Sequence, residues 1–268
     1  RAYVGGTSGL IYGYVNDGFY TVADFESFDS KSRTWKLKDG VVDSSPLSDT
    51  PRPGNAKFKK LTAVDPNSTN PYQLTEADRT VIGNTTPKFS GGFGLNATYK
   101  GFDMSMFFNF MYDFDVLNAN KIMLTTWADN KENNFLMDIA SDKRWRNFDD
   151  MGNEIRYSPE VLAEFNKNAT MWNPTSIGRP ICMSYAVEDG SFLRLNSATL
   201  GYTLPSVWTK KVGLSKVRFY VSGNNLFTLT GYSGYDPEVN IATGLTPNID
   251  YNRYPRSRTY TFGAQLTF

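Results

Sequence analysis

The chain has 268 residues, with 28 Lys and Arg against 27 Asp and Glu and no histidine. A net charge of +1 without a basic stripe gives no basis for a nucleic-acid partner, and the missing imidazoles exclude Ser-His-Asp and Cys-His catalysis, histidine-ligated zinc and histidine pH switches from within this chain. Aromatic residues make up 15% against a mean hydropathy of −0.43, a pairing found in transmembrane barrels because half of each strand faces water.

No run reaches the roughly 18 apolar residues of a membrane-spanning helix, so any crossing has to use strands. The opening Arg-Ala-Tyr-Val has no charged region leading into an apolar one, so an exported protein would carry its signal upstream and the sequence is expected to be incomplete. The lone Cys182 cannot make an intrachain disulfide and is expected to be a small buried or wall-facing residue.

The first expected element is an outward strand at about Leu10–Tyr20, followed by a long polar segment over residues 21–87. In that segment Asp65, Asn67 and Asp78 are spaced like pieces of an oxygen-rich calcium loop. The glycine and closing glutamate of an EF-hand are missing, so the plainer expectation is a polar loop with Asx-turns, with calcium as the only cofactor left open.

Residues 88–113 carry the clearest periodicity. Phe89, Gly91, Phe93, Leu95, Ala97 and Tyr99 alternate with Ser90, Gly92, Gly94, Asn96, Thr98 and Lys100, and after a tight Lys100-Gly101 turn the pattern resumes with Phe102, Met104, Met106, Phe108, Phe110 and Tyr112. This predicts a hairpin of strands about 12 residues long, enough to cross a bilayer with tilt. Gly92 to Ala97 matches a dinucleotide-binding fingerprint, but it lies inside a strand, where glycines relieve curvature or bulky neighbours.

A second long segment, residues 114–190, gathers Trp127, Trp145, Arg146 and Trp172, aromatic and charged side chains suited to contacting a sugar or peptide or to packing among themselves. Pro159 to Phe165 reads as a short amphipathic helix with Ser158 at its N-cap. From Phe192 to Leu204 the apolar phase slips, because Leu193 and Leu195 are out of step with Ala198, Leu200 and Tyr202; a β-bulge near Asn196-Ser197 restores it. A short connection over Pro205–Ser215 leads to a strand between Lys216 and Thr230, and a third long segment over 231–256 leads to the last strand, Thr259 to Phe268.

Long and short connections alternate, which is the loop asymmetry of outer-membrane barrels. If Phe268 ends at the periplasmic side, strand parity puts every long segment outside. The fold class expected is all-β: a transmembrane antiparallel β-barrel whose six strands here are too few to close alone.

Several blocks then resemble SusC/RagA-like TonB-dependent transporters of the Bacteroidetes. They are Asp78-Arg79-Thr80-Val81-Ile82-Gly83-Asn84, Ser191-Phe192-Leu193-Arg194-Leu195, Leu200-Gly201-Tyr202-Thr203-Leu204-Pro205, Gly223-Asn224-Asn225-Leu226-Phe227, Tyr232-Ser233-Gly234-Tyr235-Asp236-Pro237-Glu238 and Tyr254-Pro255-Arg256-Ser257-Arg258, in the family's order. The resemblance covers most of the chain outside residues 21–50 and 114–180; Pro66, Pro71 and Tyr72 interrupt the loop where the family is rich in Asp, Asn and Gly.

The resemblance implies the C-terminal strands of a 22-stranded barrel in the bacterial outer membrane, with an upstream plug that contacts TonB and a SusD-like lipoprotein as partner. It implies import of oligosaccharides or peptides and no enzymatic activity. It also implies that the last strand, with Tyr260, Phe262, Leu266 and Phe268, is the barrel's assembly signal. A passive porin and an adhesive or structural outer-membrane protein are the competing classes.

Overall fold

The computed structural model describes residues 7–126, 134–140, 142–238 and 248–268. They form two compact units, one from residues 10–83 and 117–187, the other from residues 7–9, 84–116 and 188–268.

The second unit is built on an antiparallel sheet of five strands: β1 (Phe89–Tyr99), β2 (Phe102–Tyr112), β3 (Phe192–Thr203), β4 (Lys216–Thr230) and β5 (Thr259–Thr267). Spatial order follows chain order, so the sheet is an up-and-down meander. Lys100 and Gly101 both have positive φ, 44° and 89°, the requirement of a two-residue hairpin turn whose twist matches its strands. In β3, Leu195 and Ser197 are paired to both neighbours while Asn196 is skipped. This bulge puts Leu193, Leu195, Ala198, Leu200 and Tyr202 on one face, as the phase slip requires.

Register then joins the apolar positions into continuous rows. One row runs Phe93, Phe108, Leu195, Phe227; another runs Ala97, Met104, Leu200, Val221, Phe262; a third runs Tyr99, Phe102, Tyr202, Phe219, Ala264. Cross-strand rings tighten them, with Phe93 stacked on Phe108 at 4.9 Å and Phe102 against Tyr202 at 4.5 Å. Among the described residues no second layer covers this face: Phe262 is 77% exposed, and Phe89, Leu95, Leu200 and Phe219 are exposed as well. A soluble domain rarely shows so much contiguous apolar surface, whereas hydrocarbon is the solvent that suits it.

Among the described residues β1 and β5 each pair on one side only, so the sheet is a wall and not a closed barrel. The connections at Lys100-Gly101 and over residues 204–215 lie at one end of it. The chain leaves and re-enters at the other end, where Phe192 pairs with Met111 and with Thr230. At the first end Ser215 donates its N–H to the Thr267 carbonyl at 2.8 Å and its hydroxyl to the carbonyls of Thr267 and Phe268, which ties the last strand to the connection before β4.

The sixth wall strand expected at Leu10–Tyr20 is not in this sheet. Leu10–Gly13 pairs with Thr80–Asn84, and Asn16–Phe19 pairs with Ala56–Phe58. The apolar residues there do not alternate like a wall strand: Ile11, Tyr14 and Tyr20 are buried, and Gly18 turns the chain with φ 78°.

Most of the first two segments read from sequence as long loops folds into the first unit around cores of its own, while the described part of the third belongs to the second unit. Phe58, Leu74, Ile139, Trp172, Ile177 and Met183 belong to one cluster, and Trp145, Ile155 and Leu162 form a second. The helix Pro159–Phe165 forms as predicted, with Leu162 turned inward; Ser158 occupies the N-cap without a side-chain bond, and Pro159 suits the first helical position because its missing N–H needs no partner there.

Candidate functional site

The polar face of the sheet carries three built features. Arg218 on β4 donates through Nε to Asp103 Oδ1 at 2.9 Å and through Nη2 to Oδ2 at 2.5 Å, although β3 runs between them. The bridge passes over Gly201, where a Cβ would lie 2.5 Å from the guanidinium and 2.6 Å from the carboxylate. Gly263 leaves room for the Tyr220 ring in the same way, and Gly92 for Phe107, the one bulky apolar residue in the middle of this face. The glycines relieve bulky neighbours as the sequence suggests, and the motif-like Gly92 to Ala97 lies within β1.

Toward the end where the long segments depart, Arg194 on β3 is 2% exposed. It reaches Asp236 at 2.5 Å and Glu238 at 3.3 Å, and Glu238 also lies 3.3 Å from Arg256. Beside this network the polar face closes over with Phe192, Phe114, Val116 and Tyr232, and the Tyr232 hydroxyl donates to Asp250 at 2.7 Å. Burial and the neighbouring carboxylate push the Tyr232 hydroxyl pKa far above its ordinary value. A basic residue near the start of a predicted strand, inside a family-like block, is the sequence signal for Arg194, and nothing in the periodicity points to its partners more than 40 positions later.

In the first unit Asp78 is fully buried. Its Oδ1 accepts from the Leu61 and Thr62 N–H groups and the Thr62 hydroxyl at 2.7–2.8 Å; its Oδ2 accepts from the Thr75 N–H at 2.8 Å and the Thr75 hydroxyl at 3.0 Å. Burial alone would raise its pKa, but these bonds to the charged form outweigh burial and hold the carboxyl well below the usual range.

Asp65 caps the N–H of Asn67 at 2.9 Å, the Asx-turn expected of it. No group of three acidic or thiol side chains is gathered for a metal among the described residues. Asp65 and Asp78 each accept backbone N–H groups, Asp65 from Asn67 and Asp78 from Leu61, Thr62 and Thr75.

Asp78→Ala is expected to loosen residues 61–75 by about 3 kcal/mol, because several donors gathered around one buried carboxylate lose their acceptor at once. Its depressed pKa adds stability that is fully present above about pH 4 and drains away as pH falls below it. Hydrogen exchange over residues 61–75 of the full-length protein, followed from pH 7 downward, checks both; equal protection in wild type and variant would contradict the role.

The four ligand-contact candidates separate. Trp145 and Trp172 are each 2% exposed and are core residues of the two clusters, which corrects their expected role as contact surfaces. Trp172 donates its indole N–H to the Thr125 carbonyl at 3.3 Å, and Trp145 packs on Gly54, where a Cβ would come within 2.2 Å of the indole. Trp127 lies outside the described residues. Arg146 remains at the surface, paired with Asp150 at 2.7 Å and stacked 4.4 Å from the Phe165 ring.

Arg146 lines a groove of about 350 Å³ together with Arg144, Phe148 and Asp149. A smaller chamber of about 80 Å³, lined by Arg33, Arg52, Asp49 and Tyr157, shares Asn147, Arg156, Asn173 and Thr175 with it. Arg33 and Arg52 escape sequence reasoning because they sit more than 90 positions from the groove's other arginines, with no motif joining them. Cys182 is partly buried, which pushes its thiol pKa up and leaves it an inert packing residue.

No protein-family model matches the chain. It is 33% identical over 266 residues to TonB-dependent receptor P3 of Formosa agariphila, a match covering 97% of this chain and 22% of the relative. It is 38% identical over 88 residues to TonB-dependent receptor SusC of Bacteroides thetaiotaomicron, covering 31% of this chain and 8% of that one. A structure of the RagAB peptide transporter is similar with a TM-score of 0.59 and 22% identity, over 98% of this chain and 23% of that chain, a likeness that speaks for the fold.

An antiparallel wall with one lipid-suited face and long loop segments at one end defines a piece of an outer-membrane β-barrel. The chain belongs to the SusC/RagA-like TonB-dependent transporters, and it spans about a fifth of the length of the relative it matches over nearly all its residues.

Proposed function

We propose that this chain contributes wall strands and outward loops to the TonB-dependent active import of a bulky nutrient, an oligosaccharide or oligopeptide, across the bacterial outer membrane. The observation that carries the reading is the match to a TonB-dependent receptor over 97% of the chain. The sheet supports it, with its long connections at one end and short ones at the other. In this reading the long segments face the medium, the end at Phe268 faces the periplasm, and a SusD-like lipoprotein docks on the outer side. The likeness to SusC and to RagAB supports such a partner.

The test is uptake of oligosaccharides and oligopeptides by cells carrying the full-length protein, with and without TonB. Loss of uptake without TonB is expected; uptake that persists points to a passive porin, and no uptake with firm adhesion to a surface points to an adhesin.

A second expectation concerns the last strand. Deleting Phe268, or replacing it with Asp, is expected to reduce the protein in the outer membrane to a small fraction of normal. Phe268 is 89% exposed at the end of the apolar face, so it contributes little packing inside the chain. Normal outer-membrane levels of either variant would remove it from assembly.

A further inference from the structure

We propose that the arginine-lined groove of the first unit binds an anionic substituent, a carboxylate or a sulfate ester, on an oligosaccharide. This rests on the transport reading and narrows its substrate class.

Five arginines and two carboxylates, Asp49 and Asp149, line the two chambers. Among the described residues Arg33 and Arg52 have no carboxylate partner, while Arg146 and Arg156 are paired with Asp150 and Glu154. Unpaired guanidiniums at a concave surface keep their forked donors for a bidentate anion.

Arg33 and Arg156 are also held in place. Arg33 sits 4.8 Å from the Tyr157 ring, and Arg156 lies 5.6 Å from Tyr157 and 5.5 Å from Phe148. Stacking on rings orients a guanidinium without neutralising it. The smaller chamber suits a compact charged group, and the larger one suits the body that carries it.

The shared wall favours a sugar as that body. Asn147, Asn173 and Thr175 offer amide and hydroxyl groups to ring hydroxyls, and exposed Phe148 offers an aromatic surface to a pyranose C–H face. Arg33, Asp49 and the residues from 144 to 175 fall in the segments outside the family-like blocks, so the family resemblance does not assign this groove.

The experiment uses the purified full-length transporter with its partner lipoprotein, and calorimetry at low salt. The probes are a sulfated galactan oligosaccharide, the same oligosaccharide chemically desulfated, an oligogalacturonate, and an Asp- and Glu-rich peptide of similar length. The sulfated or the uronate probe is expected to bind at least about tenfold more tightly than the desulfated one, with the preference shrinking as salt rises. Which of the two leads identifies the anion.

The double variant Arg33→Asn and Arg52→Gln changes two exposed side chains, with asparagine chosen to keep the positive φ of 55° at position 33. It should remove the preference while binding of the desulfated probe and outer-membrane levels stay unchanged. Equal binding of charged and neutral probes, a preference that survives the double variant, or tighter binding of the acidic peptide would each overturn the proposal. If the charge preference holds but uptake does not need TonB, the transport reading fails and this site stands; TonB-dependent uptake with no charge preference is the reverse.

Discussion

Replacing Arg194 with methionine is expected to release the segment around residues 231–238 and to cost about 3–5 kcal/mol of local stability, the usual consequence of removing one member of a buried ion cluster. Asp236 and Glu238 would be left beside a near-isosteric apolar chain, with Arg256 still near Glu238. Adding Asp236→Asn should recover part of the loss, because the uncompensated buried charge is what makes the single change expensive. Protease cleavage and hydrogen exchange at residues 231–238 in the membrane-embedded full-length protein read this out. Protection unchanged in Arg194→Met would mean that the cluster does not hold the segment.

Leu200→Arg should lower the amount of folded protein in the outer membrane sharply, whereas Thr199→Arg, one residue away, should leave it close to normal. Leu200 lies in the row of Met104, Val221 and Phe262 on the apolar face, and Thr199 lies in the row of Ser105, Ser222 and Thr261 on the other. A cationic side chain on the lipid side costs about 2–4 kcal/mol near the bilayer midplane and far less on a water-filled side. The contrast between adjacent residues is the informative quantity. Equal levels of the two variants, or the reverse order, would mean that the faces have been assigned the wrong way round.

The wall was legible because a strand crossing between lipid and water must alternate at every residue, and that constraint is local. It made the turn at Lys100-Gly101, the bulge at Asn196 and the reach of β4 from Lys216 to Thr230 readable from single residues. The strand expected at Leu10–Tyr20 failed for the same reason: its apolar residues are bound for a core assembled from distant segments, and short windows do not distinguish that from half a wall strand.

Trp145 and Trp172 show the other limit. Aromatic residues in a polar segment look like contact surfaces until the fold shows that they are the largest buried side chains of two cores.

The sequence by itself therefore determined the membrane-wall architecture, its alternating faces and its family, since these depend on period-two patterning and on blocks of neighbouring residues. Only the tertiary structure decided that Arg194 binds Asp236 and Glu238, that Asp78 ties residues 61–75 together, and that Arg33 and Arg52 meet Arg156 at one groove. Each of those depends on charges and hydrogen-bonding groups brought together from positions far apart in the chain, and no local pattern records which of them will meet.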